Sequence, residues 1–453
     1  MLKKINFRLH FPKTFSIAYP VMLSQLGQVT VGVADAMMVG RLGSVPLAAA
    51  SLGNSIFFVI LMFGIGTSMA ITPLVAAADG KGRVKRISRV FQHGFLINMF
   101  FGGLLFLLIL LATPILSHLN QPDEVVDLAV PYLGIITLSL IPFMFFQTFK
   151  QFTEGLSQTK QAMLITIFCN MVNVFLNWVL IYGNLGFPAL GLNGAGLATL
   201  TSRVAMGVIM YWYVRRSKRY KPYRLRFNFK KLSFPMISKM LNIGIPSGFQ
   251  FIFEAGAFSS AAIMMGWIGV DALAAHQIAI NLASISYMMA SGLSSAATVR
   301  VGNQLGRGDI KTMREIGFSI FGMVCVFMLF FAIVLVSFRN LLPMLYIDDA
   351  SVIEVAAGLL IIAGLFQISD GVQLVGLGAL RGMADVKIPT VITLVAYWVI
   401  GLPLGYILSF HLGLEEKGIW YGLFIGLTLT AVLLVYRFDR ISKSLLKDKP
   451  ALN

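Results

Sequence analysis

Long apolar runs alternate with short polar stretches along the whole chain. The runs cover residues 15–40, 47–78, 93–116, 129–149, 162–183, 192–214, 240–267, 271–299, 316–338, 351–377, 388–410 and 419–436. Each comes close to or exceeds the about 20 residues with which an α-helix crosses a hydrocarbon layer. The pattern predicts an all-α membrane protein with twelve transmembrane helices.

The second half of the pattern repeats the first. A shift of 226 residues places Pro20 on Pro246, Gly40 on Gly266, Gly43 on Gly269 and Leu47-Ala48-Ala49 on Leu273-Ala274-Ala275. Under the same shift Gly66, Ser68, Ala70, Thr72, Gly80 and Gly82 fall on Gly292, Ser294, Ala296, Thr298, Gly306 and Gly308. A shift of 227 then matches Gly155 to Gly382, Lys160 to Lys387 and Gly191 to Gly418. Colinear matches over most of both halves predict two six-helix bundles related by an internal pseudo-two-fold axis along the membrane normal, because six is an even number of crossings. The expected division is an N-lobe of residues 1–214, a basic cytoplasmic linker of 215–239 and a C-lobe of 240–453. A cleft between two such bundles can open to either side when they rock, which suits a secondary transporter.

Charge fixes the expected orientation. Of 36 Lys and Arg residues, 32 fall in the tails and alternate loops of one side, and only Arg41, Arg339 and Lys417 fall on the other; Arg203 lies within the sixth run. Basic residues mark the cytoplasmic side, so both termini are expected there. The net charge of +17 is thereby a matter of topology rather than of nucleic-acid binding. The apolar stretch after Lys3, Lys4 and Arg8 lacks a convincing cleavage site, and the expectation is a retained first span rather than a signal peptide. With 57% hydrophobic and 12% charged residues, the chain has too little polar surface for a soluble globular enzyme. Cys169 and Cys325, each inside an apolar run, are small core residues or reactive thiols and supply no disulfide framework.

Of the nineteen acidic residues, sixteen fall in loops, tails or span ends, and three lie deeper within the apolar runs. Glu254 lies 15 residues after Lys239 and Asp370 lies 11 before Arg381, which places both roughly 16 to 22 Å from the cytoplasmic boundary at ~1.5 Å per residue. Asp35, six residues before Arg41, belongs to the outer half of the first span. A charge at the bilayer centre costs at least ~2.5 to 3.5 kcal/mol, so each acid should be paired, protonated or cation-bound unless it serves as a structural hydrogen-bonding group. Under the repeat Glu254 meets Gln28, Asp35 meets Ala261 and Asp370 meets Phe143, so none of the acids belongs to the duplicated frame. Asn170, Asn173 and Asn177 form one stripe of the fifth span. Such amides can complete an oxygen shell, hydrogen-bond Asp35 or hold helices together. Gln147, Gln250, Gln277, Gln367 and Gln373 add neutral polar groups within apolar runs, as ligand contacts or packing groups. Arg203 is expected in an ion pair. Pro20 and Pro246 can act as static kinks or as hinges. Packing is favoured over a proton relay for His276. No GxxxxGK[ST] phosphate loop and no HExxH occurs in the sequence, which leaves ATP drive and metalloenzyme chemistry without support.

The first-span YPVMLSQLGQVTVGVADAMMVGRLGSVPLAA, the seventh-span GIPSGFQFIFEAGAFSSAAIMMGWIGVDALAAHQIA, the VGNQLGRGD loop and the tenth-span FQISDGVQLVGLGALRGMADVK together resemble the multidrug and toxic compound extrusion (MATE) family, in its NorM-like branch. The resemblance covers nearly the whole chain. It implies an exporter of organic cations and drugs, driven by protons or sodium ions, in a bacterial plasma membrane. It further implies that Glu254 and Asp370 match a C-lobe cation site, which would hold a metal ion only under sodium coupling. By the same resemblance Asp35, Asn173, Asn177 and the weaker candidate Thr199 match a polar N-lobe site. Phe366 stands where the family pattern can place a tyrosine, which removes a hydroxyl ligand from the C-lobe. Gln28, Gln250, Gln277, Gln367, Gln373 and Phe366 are the candidates for substrate contact or the surrounding network.

The expected function is a secondary active multidrug antiporter without a prosthetic cofactor, coupled to H+ or Na+ and not an enzyme. Its expected partners are small organic cations and membrane lipid, and one chain, containing both lobes, is expected to work as a monomer. The chief rival is a flippase for lipid-linked or amphipathic molecules, which would want a basic cavity to receive phosphates. A channel is disfavoured by the matched prolines, and a receptor leaves the buried acids without a purpose.

Overall fold

Apolar runs fold as helices because a helix satisfies its own backbone hydrogen bonds where no water can. The computed structural model describes residues 7–118, 122–223, 225 and 232–447, and among these no strand occurs. Within the expected linker, residues 224 and 226–231 lie outside the described residues, as do the terminal residues 1–6 and 448–453. In chain order the helices are α1 (Phe7–Gly40), α2 (Ser44–Ser68), α3 (Ile71–Gly80), α4 (Val84–Ala112), α5 (Asp123–Leu138), α6 (Leu140–Gly155), α7 (Lys160–Tyr182) and α8 (Gly191–Arg216). The second half contains α9 (Phe234–Ile268), α10 (Val270–Arg307), α11 (Ile310–Ser337), α12 (Ala350–Gly382), α13 (Lys387–Leu394), α14 (Leu402–Tyr406) and α15 (Glu415–Lys447).

Among the described residues, ten helical stretches are long and apolar enough to cross a membrane, with α2–α3, α5–α6 and residues 387–411 each counted as one. The two long helices outside that set are α8 and α10, of 26 and 38 residues. Their length suffices for a bilayer at ~1.5 Å per residue; Gly, Ser, Thr and Asn dilute their hydropathy.

Helices overrun the apolar runs chiefly at the ends assigned to the basic side. α4 begins at Val84 rather than 93, α10 ends at Arg307 rather than 299, and α15 ends at Lys447 rather than 436. Hydropathy marks the hydrocarbon boundary, whereas Lys and Arg are good helix formers and let the helix continue beyond it. One overrun corrects the charge reading: α6 reaches Gly155, so Lys150 is buried on its last turns, 4.0 Å from the buried Glu154, rather than solvated in a loop.

Three runs expected to be continuous are interrupted. Between α2 and α3, the hydroxyls of Thr67 and Ser68 donate to the Gly64 and Ile65 carbonyls at 2.8 and 2.6 Å. Between α5 and α6, Thr137 and Ser139 do the same to Leu133 and Ile136. Hydroxyls that compete for helix carbonyls loosen the ladder at both breaks. The third run widens into π-helix at Val395–Gly401 and Ile407–His411; the first of these absorbs the ring of Pro403, which would clash with the carbonyl four residues earlier in a regular helix.

Packing divides the chain into two compact units. One comprises residues 23–248, the other residues 249–453 with the N-terminal 1–22. Both α1 and α9 therefore change membership two residues after an internal proline, Pro20 and Pro246. The 23–248 unit is built around Phe57, Leu61, Leu133 and Met144. The other unit contains one apolar cluster around Val324, Leu377 and Phe438 and another around Met265, Leu360 and Trp420.

Repeat-related positions make equivalent contacts inside their own units. In the first, a Cβ on Gly66 would lie 2.5 Å from Gly248 Cα; in the second, a Cβ on Gly292 would lie 2.4 Å from Met22 Cγ. Likewise Thr72 donates to the Gln151 carbonyl at 3.0 Å, and Thr298 donates to the Gly378 carbonyl at 2.8 Å.

Candidate functional site

The acids singled out by sequence lie in two separate clusters, one in each unit. In the 249–447 part of the second unit, α9 carries Gln250 and Glu254 one turn apart, and α12 carries Gln367, Asp370 and Gln373 within two turns. Glu254 is 5% exposed and Asp370 is 6% exposed, so both carboxyls are shut away from bulk solvent. Gln373 Nε2 donates to Glu254 Oε1 at 3.3 Å, and the Tyr397 hydroxyl donates to Gln373 Oε1 at 2.9 Å. Glu254 Oε2 and both polar atoms of the Gln367 amide are buried with no protein partner. Buried polar atoms are otherwise nearly always satisfied, so two carboxyl groups and unpaired oxygens form a setting fit for a proton or a small monovalent cation. Among the described residues no three His, Cys, Asp or Glu side chains come together, so such a cation would rest on two carboxylates and neutral oxygens.

Arg381 is a residue that sequence reasoning misplaced. Counted as a boundary cation, it is buried on the last turn of α12, and its Nη2 reaches Gln250 Oε1 at 3.5 Å while its Nε has no partner. Helical side chains lean toward the N-terminus of their helix, which carries this long side chain back toward the acids. Tyr397 was also missed. It stands on the π-helical turn, and a lone tyrosine in an apolar run gives no sign of function.

The second cluster lies in the 23–248 unit. Asp35 on α1 accepts from Asn177 Nδ2 at 2.5 Å. The Asn173 amide fits best with its nitrogen toward Asp35 Oδ1 at 2.9 Å, leaving its oxygen to accept from the Thr199 N–H at 3.3 Å; the opposite orientation gives only a 3.4 Å contact to Thr199 Oγ1 and a 3.3 Å contact to Asn177. The i, i+4 spacing on α7 thus aims two amide donors at one carboxylate. Gly27 permits α1 to approach α7, since a Cβ there would lie 3.2 Å from Asn170 Nδ2.

The remaining candidates separate from these clusters. Gln28 is half-buried, and Gln277 is exposed and donates to Asn281 Oδ1 at 3.5 Å. Phe366 stacks on Trp420 with ring centroids 5.6 Å apart and lies in an apolar core. His276 accepts from Trp420 Nε1 at Nδ1, 3.1 Å away, consistent with packing. The ion pair expected of Arg203 is absent among the described residues. Its guanidinium donates to Ser139 Oγ at 2.7 Å and lies 5.0 Å from the centroids of Phe57 and Phe143, whose ring faces supply negative potential, while Asp35 acts on it electrostatically without an ion-pair contact.

Comparison with known proteins agrees over nearly the full length. A model of the MatE family matches residues 20–179 and again 246–407. The chain is 36% identical to a probable multidrug resistance protein NorM of Mesorhizobium japonicum over 449 residues, covering 97% of this chain and 96% of the relative. It is 33% identical to multidrug resistance protein MdtK of Yersinia pseudotuberculosis over 433 residues, covering 94% and 95%. Among solved structures, the eukaryotic MATE transporter AtDTX14 superposes with a TM-score of 0.87 at 21% identity, covering 97% of this chain and 99% of that one.

Proposed function

Since the chain belongs to the MatE family, we propose that it is a secondary active multidrug efflux antiporter, a transporter rather than an enzyme, that exchanges protons or sodium ions for organic cations. The observation that carries this reading is the buried pair Glu254 and Asp370, with Glu254 Oε2 unpartnered. A carboxylate held at that depth has a strong need for a positive ion, and an ion that binds the two access states with different affinity can drive the exchange. Asp35, with Asn173, Asn177 and Thr199, forms the second cation-responsive site in this reading. Buried acids favour a cation over the phosphate that a flippase would need to hold.

The architecture proposed for this function adds α8 and α10 to the ten apolar stretches to make twelve spans in two six-helix bundles. The family match at two intervals and the paired Gly and Thr contacts support the repeat. The lobes are 1–214 and 240–453, joined by a cytoplasmic linker, with both termini cytoplasmic in a bacterial inner membrane. Pro20 and Pro246 act as hinges, lying where α1 and α9 change units. One chain, having both lobes, acts as a monomer in contact with lipid.

The test uses purified chain in vesicles loaded with ethidium. Efflux is expected to accelerate under an inward proton gradient or an inward sodium gradient imposed separately. Efflux that ignores both gradients contradicts antiport, and a steady ion current without drug exchange indicates a channel.

A further inference from the structure

The π-helical turn Val395–Gly401 grips α9 on both sides of the carboxylate. Trp398 Nε1 donates to the Phe253 carbonyl at 2.9 Å, next to Glu254, and Gly256 leaves room for the Trp398 ring, since a Cβ there would lie 2.9 Å from ring atom Cζ2. Tyr397, adjacent on the same turn, reaches Glu254 through Gln373. π-Helical turns concentrate at functional positions.

An amide has a donor end and an acceptor end that exchange places on rotation. Here the Tyr397 hydroxyl is buried and donates to Gln373 Oε1. Rotating the amide would take away the acceptor of that hydroxyl, and an orphaned buried donor is costly. Tyr397 therefore keeps the Gln373 N–H, not its oxygen, against Glu254. A hydrogen bond donated to a carboxylate favours the empty, charged form, whereas an amide oxygen in the same place would favour the form carrying a proton or ligating sodium.

We infer that Tyr397 and Gln373 are positioning residues that weaken cation binding at Glu254 enough for the ion to be released in each cycle. This deepens the proposed antiport and rests on it. The charged and titratable groups around Glu254 are Asp370 and Arg381 on α12, Tyr287 on α10 and Tyr397 itself on the π-helical turn; Tyr397→Phe and Gln373→Met leave the first three in place.

The experiment measures the half-saturating cation concentration in two ways on the full chain: ethidium efflux from vesicles across a proton series and a sodium series, and the rise in Tm of drug-free protein across the same series. Tyr397→Phe is expected to lower the half-saturating concentration roughly threefold to tenfold, the worth of one hydrogen bond, and to slow maximal turnover through late release. Gln373→Met is expected to shift it in the same direction, and the double variant to shift it no further than Gln373→Met alone. An unchanged value in Tyr397→Phe, or additive shifts in the double variant, overturns the inference. If Tyr397→Phe fails to assemble, an unchanged value in Gln373→Met overturns it equally. The unmodified chain separates the two levels: efflux that ignores both gradients defeats the antiport reading itself, while gradient-driven efflux beside a half-saturating concentration unchanged in Tyr397→Phe defeats the relay alone.

Discussion

Glu254→Gln and Asp370→Asn each abolish gradient-driven efflux, by at least about tenfold, while the protein stays monodisperse with an unchanged or higher Tm. The two effects have opposite signs for one reason. Each substitution removes a charge that is nine-tenths or more shut off from solvent and, at Glu254, has one oxygen without any partner. Burying such a charge costs free energy, so the neutral isostere relieves the fold of a penalty. The same neutral group cannot bind and release a proton, and it is a poor ligand for sodium. Were these acids structural hydrogen-bonding groups, the variants would instead lose stability and keep transport. Efflux and thermal unfolding measured on the same preparations distinguish these outcomes.

Gly422→Val prevents correct packing of the C-terminal helix. A Cβ on Gly422 would lie 2.4 Å from Gly405 Cα and 2.5 Å from the Gly401 carbonyl oxygen, and a Cβ on Gly418 would lie 2.4 Å from Ser409 N. Backbone meets backbone along this seam, so no rotamer change can make room. Close approach of glycine-bearing surfaces is a principal source of helix association in lipid, where the hydrophobic effect between helices is absent. Overpacking in cores costs about 1–3 kcal/mol or more. The expected result is a loss of the monodisperse peak, or a Tm lowered by several degrees. The control is Gly413→Ala, at a position with open space around it but a φ of +67°, which should cause only local strain. Equal behaviour of the two variants would contradict the seam.

The acids and amides were legible because they break a strong pattern. Glu254, Asp370 and Asp35 are charges within apolar runs, and the spacing of Asn173 and Asn177 correctly places both amides on the Asp35 face of α7. Periodicity also located the long helices, since hydropathy and helix formation agree inside the hydrocarbon. They part at its edges, which is why Lys150 and Arg381, read as solvated boundary cations, are buried. Tyr397 and the π-helical turn left no trace in the pattern, because an apolar stretch looks the same at 3.6 residues per turn and at a wider turn. Arg203 was expected to find an acid; that it settles between Phe57 and Phe143 depends on which helices meet, and spacing within one helix does not report this.

Cation movement driven by drug alone is the most direct measure of the central claim, that a buried acid pair links one flux to the other. Vesicles containing the chain receive an ethidium gradient with no imposed pH or sodium gradient, and internal pH and sodium are followed. In the wild-type protein one of the two cations should move opposite to the drug, and that movement should vanish in Glu254→Gln and in Asp370→Asn. Drug that crosses with neither cation moving, or counter-movement that persists in both variants, would contradict the account.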